Sequence, residues 1–162
     1  MSIVSACHWL ENLELATQIR ETGWLFPTIE TVHVFGLVLV VGSIMLVDLR
    51  LLGFGNMDRP LTELAEETLP WTWSAFIVAA IAGLLMFSSR AVTYYGDFPF
   101  RLKMVCLVLA GLNMAFFHQF GMRDIALWDL GKPPPRARIA GGASLLLWII
   151  IVGAGRWVGF TT

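Results

Sequence analysis

The chain has 162 residues, of which 57% are hydrophobic and only 14% charged, with a mean hydropathy of +0.71. A soluble domain is nearer half apolar and a quarter charged, so this balance excludes a disordered chain or an ordinary cytosolic globule and points to the bilayer as solvent. The formal net charge is −1 and the 11 basic residues form no stripe, so there is no basis for a nucleic-acid partner.

In residues 1–23, Ile3, Ala6, Cys7, Leu10 and Leu13 fall on one helical face with Trp9 beside them. This is the pattern of an amphipathic helix lying in the membrane interface, or of a helix packed over the mouth of a bundle. Glu11, Glu14 and Glu21, with no basic region ahead of an apolar run, set the segment apart from a signal peptide. Cys7 and Cys106 have no CxxC spacing and build no disulfide framework.

Crossing about 30 Å of hydrocarbon takes roughly 20 helical residues. Runs of that length are expected at about 27–52, 71–89, 100–120 and 139–155. The second follows Pro70, where proline suits a helix start, and the fourth is preceded by the stop at Pro133, Pro134 and Pro135. None alternates as a barrel strand would. The connecting segments are too short to bury a core, so residues 1–162 form one all-α domain: an integral-membrane four-helix bundle preceded by an interfacial helix.

An even number of spans places both termini on one side. That side carries Arg20, Arg90, Arg101, Lys103 and Arg156, and the other carries Arg50, Arg59, Arg123, Lys132, Arg136 and Arg138, a near balance that leaves orientation open. Trp24, Trp71, Trp73, Trp128 and Trp157 lie near span ends, where indoles favour the headgroup region. The pairs Gly36/Gly42, Gly141/Gly142 and Gly153/Gly155 suit close helix approach.

Ionisable residues in membrane helices are costly and turn toward the bundle interior. The first span has Glu30 and His33 near its start and Asp48 and Arg50 near its end, while the third has Lys103, Asn113 and His118. At about 100° per residue, Glu30, His33 and Asp48 fall within about 60° of one line, and Lys103, Asn113, Met114 and His118 within about 140°. At about 1.5 Å per residue, His33 lies about 9 Å below the terminal face and His118 about 25 Å below it. Two clusters are therefore expected. Glu30, Lys103, Arg90, Met86 and one of Tyr94 and Tyr95 should gather around His33, within reach of His8, and Asp48, Arg50 and Met45 around His118. A haem bridged by both histidines would have to overcome an offset of about 16 Å.

A buried intramembrane histidine serves as a structural hydrogen-bond donor, a metal or haem ligand, or a proton relay, and the residues alone leave all three open. Asp48 and Arg50 suit loop pairing or helix capping, with Gly53 as the terminating glycine. Met86 and Met45 suit core filling.

The order Glu30-Thr31-Val32-His33-Val34-Phe35-Gly36, Asp48-Leu49-Arg50-Leu51-Leu52-Gly53, Phe100-Arg101-Leu102-Lys103 and Asn113-Met114-Ala115-Phe116-Phe117-His118 resembles a family of small four-span bacterial membrane proteins of unknown function. More distantly, it is similar to four-helix haem-b membrane proteins of the HemJ type and to CopD copper-resistance membrane domains. That similarity implies a haem b or copper site served by His33, with Lys103 and His118 as further candidates. The Trp and Pro-Arg signature of the HemJ first span is absent, and Asp48-Leu49-Arg50 stands in its place.

The expectation is a bacterial inner-membrane protein that binds haem b and passes electrons to or from quinone or a partner membrane or periplasmic subunit, alone or as an oligomer. His33 is the leading axial ligand; Glu30, Lys103 and Arg90 are placed to hold a propionate or tune the potential. The alternatives are a non-redox accessory subunit of a membrane complex, and a metal or proton permease with His33 and His118 as separate stations.

Overall fold

A computed structural model describes residues 2–55 and 58–161. It contains α1 (Ile3–Glu11), α2 (Glu14–Glu21), α3 (Leu25–Leu52), α4 (Leu61–Ser89), α5 (Ala91–Gly96), α6 (Phe98–Phe116) and α7 (Pro135–Thr161). A π turn at Phe117–Gly121 prolongs α6, and a 3-10 turn spans Ile125–Leu127. No strand occurs among the described residues. Four helices, Leu25–Leu52, Leu61–Ser89, Phe98–Gly121 and Pro135–Thr161, are long and apolar enough to cross a membrane. Their outward faces carry Phe35, Val38, Leu84, Val108 and Ile149, all exposed, as lipid-facing side chains must be.

Local chemistry sets the helix ends. Gly53 closes α3 in the left-handed conformation (φ 94°), with the Gly53 amide on the Arg50 carbonyl (3.1 Å) and the Phe54 amide on Leu49 (2.9 Å). This double bond pattern needs a residue without a Cβ penalty. Asp97 caps α6 by accepting from the Phe100 amide at 3.1 Å.

The second predicted span differs most. Its helix starts at Leu61 rather than after Pro70 and carries Pro70 in its interior. Leu61 is buried and Leu64, Ala65, Thr68 and Leu69 are half-buried, so tertiary packing holds the first turns in place despite the proline.

The N-terminal segment is two helices, broken at Asn12 and Leu13. They pack over one end of the bundle, α1 on α5 and α4, α2 on α4 and α3. Cys7, Ala16 and Ile19 are buried, while Ile3, Trp9 and Leu15 remain exposed. Glu11 accepts from the Val92 amide (2.9 Å) and Arg20 donates to the Ser89 carbonyl (3.0 Å).

Among the long helices, α3 packs on α4 and on α7, and α7 on α6, whereas α4 and α6 scarcely touch. Glycines make the two contacts of α3 possible. A Cβ on Gly36 would lie 2.9 Å from the Ala79 Cβ and 3.1 Å from the Ala75 carbonyl, and one on Gly141 would lie 2.9 Å from the Leu51 Cβ and 3.0 Å from the Asp48 carbonyl. Their predicted companions play no such part. Gly42 and Gly153 have nothing within 4 Å of a Cβ, and one on Gly142 would make only ordinary contact with Leu52 of α3 at 3.7 Å.

At the far end, Arg50 is 3% exposed and donates to three backbone carbonyls: Asp129 (2.8 Å), Arg59 (3.3 Å) and Gly131 (3.4 Å). Asp129 in turn accepts from the Thr62 hydroxyl (2.6 Å) and amide (3.0 Å) at the start of α4. Arg50 is thus a clamp that ties both loops to the end of α3. Trp128, expected at the headgroup level, is instead buried against Leu51, Leu61 and Ala137, because the 3-10 turn folds it back under the clamp. Trp24 and Trp157 are exposed near helix ends as expected, whereas Trp71 and Trp73, also exposed, lie within α4 because that helix begins at Leu61.

Two outcomes follow from this packing. Gly36→Leu should lower stability in detergent by about 2 kcal/mol or more, while Gly42→Leu should leave the melting temperature unchanged. For the clamp, burial opposes ionisation of Asp129, but the hydrogen bonds from Thr62 and Leu61 and the Arg50 charge outweigh it and hold the carboxyl below its usual value. A depressed folded value means a contribution that is full above the unfolded pKa and lost as pH falls through the folded one. Asp129→Asn should therefore lower the melting temperature by a constant amount from roughly pH 5 to 8, with the gap to wild type closing in acid. A gap that persists in acid would assign the loss to shape rather than charge.

Candidate functional site

The spacing between α4 and α6 leaves two cavities, one toward each end of the bundle. The larger, about 940 Å³, lies at the Arg20 end and is lined by α3, α4, α6 and α7. His33, Glu30, Met86, Arg90 and Lys103 all line it. The predicted grouping around His33 is therefore present in space. His8 is exposed on α1 and does not reach this cavity.

The orientation of His33 follows from the helix crossing. Gly36, one turn along α3, lets α4 approach, and this brings the Ala79 carbonyl to 2.7 Å from His33 Nδ1. A carbonyl only accepts, so Nδ1 carries the proton and a neutral ring keeps its lone pair on Nε2. On α4, Gly83 makes room for the ring: a Cβ there would lie 3.1 Å from His33 Cε1 and 3.3 Å from Nδ1. Nε2 has no hydrogen-bond partner among the described residues.

Lys103 enters from the opposite pair of helices. Its stem runs over α7 at Gly155, where a Cβ would lie 3.4 Å from Nζ. Gly155 thus serves a side chain rather than a helix contact. Lys103 has no hydrogen bond or ion pair among the described residues. Its charge and that of Glu30 both act on the His33 ring.

Several lining residues carried no functional signal in the sequence. Arg20 and Arg156 appeared only as rim charges, yet with Arg90 and Lys103 they give the cavity four cationic groups against the single carboxylate of Glu30. Phe87 and Phe100 stack at 5.3 Å with a 12° interplanar angle, and Tyr94, expected beside His33, joins them at 5.7 Å from Phe100 with its ring tilted by 35°, so that three rings form an aromatic wall. Their partnership across α4, α5 and α6 is non-local, so no spacing along the chain announces it.

The smaller cavity, about 240 Å³, lies toward the Arg50 end. Asp48, Asn113 and His118 line it, so the two histidines occupy different cavities, as their depths predicted. Met45 faces outward and is exposed. Asp48 is 5% exposed and shares the cavity wall with Ser144, a neighbour not anticipated from the sequence; Asn113 donates to the Ala140 carbonyl at 3.0 Å. His118 sits in the π turn and is exposed. Arg50 does not line the cavity, being spent on the loop carbonyls.

A model for a family of unknown function (DUF6644) matches residues 7–161. No curated protein and no solved structure matches the chain.

An unpaired cation facing an intramembrane cavity costs stability unless a ligand answers it. Lys103→Met, which keeps the stem, should leave the melting temperature of ligand-free protein unchanged or raise it. A structural strut would give the opposite result, a clear drop in a detergent melt.

Proposed function

We propose that this chain, which belongs to the DUF6644 family of unknown function, is a haem-b-binding membrane protein that passes electrons to or from quinone or a partner subunit, with the haem in the His33 cavity. The observation that carries this reading is the 2.7 Å contact between His33 Nδ1 and the Ala79 carbonyl, which orients the ring and leaves Nε2 as the ligating atom.

The residues present fit such a group. The cavity is within the range of ligand pockets, which run to about 1,000 Å³, and has an aromatic wall suited to a flat macrocycle. Arg20, Arg90, Lys103 and Arg156 would more than neutralise two propionates, even after Glu30 offsets one of them. Met86 would be a further residue able to hold the iron beside His33. Haem b, when bound, supplies a one-electron couple. Copper is less well served, because no group of three His, Cys, Asp or Glu comes together among the described residues, whereas a porphyrin brings four nitrogens of its own.

We place the protein in the bacterial inner membrane with both termini on one side. A permease reading draws on the two cavities at opposite ends. Against it, Val40, Cys106, Trp148 and Ile151 belong to one buried cluster in the middle of the bundle, with Ala75 and Ala110.

The test is the absorption spectrum of protein purified from haem-replete cells, before and after dithionite. A Soret band with reduced α and β bands is expected in the wild type, lost in His33→Ala and retained in His118→Ala. A folded, haem-replete preparation without a Soret band would overturn the proposal; loss in both variants would overturn the separation of the two histidines.

A further inference from the structure

The smaller cavity occupies the side gap between α4 and α6, with Thr68, Thr72 and Phe76 on one wall and Leu107, Gly111 and Met114 on the other. Trp73, Gly111 and Met114 are exposed along this gap, on the lipid-facing flank of the bundle. Behind them the walls are largely apolar, with polar exceptions that include Thr68, Thr72, Asn113, His118 and Ser144, and Asp48 stands among them. Ser144 lines the cavity beside it, and one oxygen of its carboxyl, Oδ2, is buried without any hydrogen-bond partner among the described residues.

We infer that this lateral cavity binds a lipid-dissolved compound of the hydroquinone/quinone class, anchored by a hydrogen bond to Asp48 Oδ2. The inference concerns binding alone and does not require haem at His33.

Three properties favour this occupant over a lipid tail. The first is size: an apolar cavity of about 150 Å³ holds a benzene ring, so 240 Å³ accepts a substituted one. The second is polarity, since an acyl chain would leave Oδ2 buried and unpaired, the costly state of a polar atom away from water. The third is reciprocity. An ionised carboxylate accepts from a hydroquinone hydroxyl, and a protonated carboxyl donates to a quinone carbonyl, so one oxygen serves both forms of the couple.

The carboxyl is positioned by α7. The absence of a Cβ at Gly141 lets α7 close on α3 at Asp48, and one turn later Ser144 lines the same cavity as the carboxyl.

The protein is reconstituted in nanodiscs and photolabelled with an azido-ubiquinone analogue, with unlabelled decylubiquinol as competitor and mass spectrometry to map the adducts. Adducts are expected within residues 68–76 and 110–118 and should fall away as competitor is added. Asp48→Leu should weaken competition by about tenfold or more, the scale of one hydrogen bond to a charged group. Gly111→Phe fills the gap where a Cβ meets nothing within 4 Å, so it should abolish these adducts without depending on Asp48. If Asp48→Leu fails to fold, Gly111→Phe decides alone. Adducts scattered over the lipid-facing surface, adducts that decylubiquinol does not displace, or labelling unchanged in Gly111→Phe would each overturn the inference. Because the readout is a covalent map, it is independent of whether a Soret band is present.

Discussion

The close approach of α3 to α4 at Gly36, and of α7 to α3 at Gly141, is the constraint on which the rest of the structure depends. In a bilayer no hydrophobic force drives helix onto helix, because lipid tails are as apolar as leucine. Association rests on van der Waals contact and interhelical hydrogen bonds, and both need backbones near one another. A Cβ at either glycine would fall within 3 Å of a facing atom, so each contact exists only because a hydrogen stands there.

Both crossings also organise polar groups. At the first, the Ala79 carbonyl comes within reach of His33 and Gly83 makes room for the ring. At the second, Ser144 comes to share a cavity wall with Asp48. A helix carbonyl already engaged in its own ladder keeps a second lone pair, so Ala79 accepts from His33 without breaking α4. The same contacts that hold the bundle together thus aim its two most informative interior side chains. Because α3 is committed to α4 and α7, and α7 to α6, the remaining pair α4 and α6 is left apart, and the cavities occupy that gap.

The two ends differ in how they treat charge. At the Arg50 end a buried guanidinium spends its terminal nitrogens on three loop carbonyls, although its Nε is buried without a partner among the described residues. At the Arg20 end, Lys103 has no partner among the described residues and cationic groups outnumber carboxylates. Charge satisfied internally marks structure, whereas charge left facing a cavity marks a site. Arg50, which the sequence already suited to loop pairing or capping, and Lys103, expected at the cavity around His33, differ in this respect.

Composition and apolar run length by themselves determined the all-α membrane class, four long helices, and which few polar residues lie within them, since hydrocarbon thickness and the cost of unpaired backbone allow little else. Helical rise by itself sorted His33 from His118, because depth along a straight helix is a local quantity. The segment before Pro70 was not legible, since its helicity comes from burial against other elements, and neither was the return of Trp128 into the core. Nor did a Gly pair reveal which member touches a neighbour: Gly36 and Gly42 are equal in sequence and differ only in facing. Arg20, Arg156, Ser144 and the Phe87–Phe100 stack gain their roles from residues distant along the chain. Only the tertiary structure decided these, because which atoms meet across helices depends on rotation and crossing, and those are set by all four helices together.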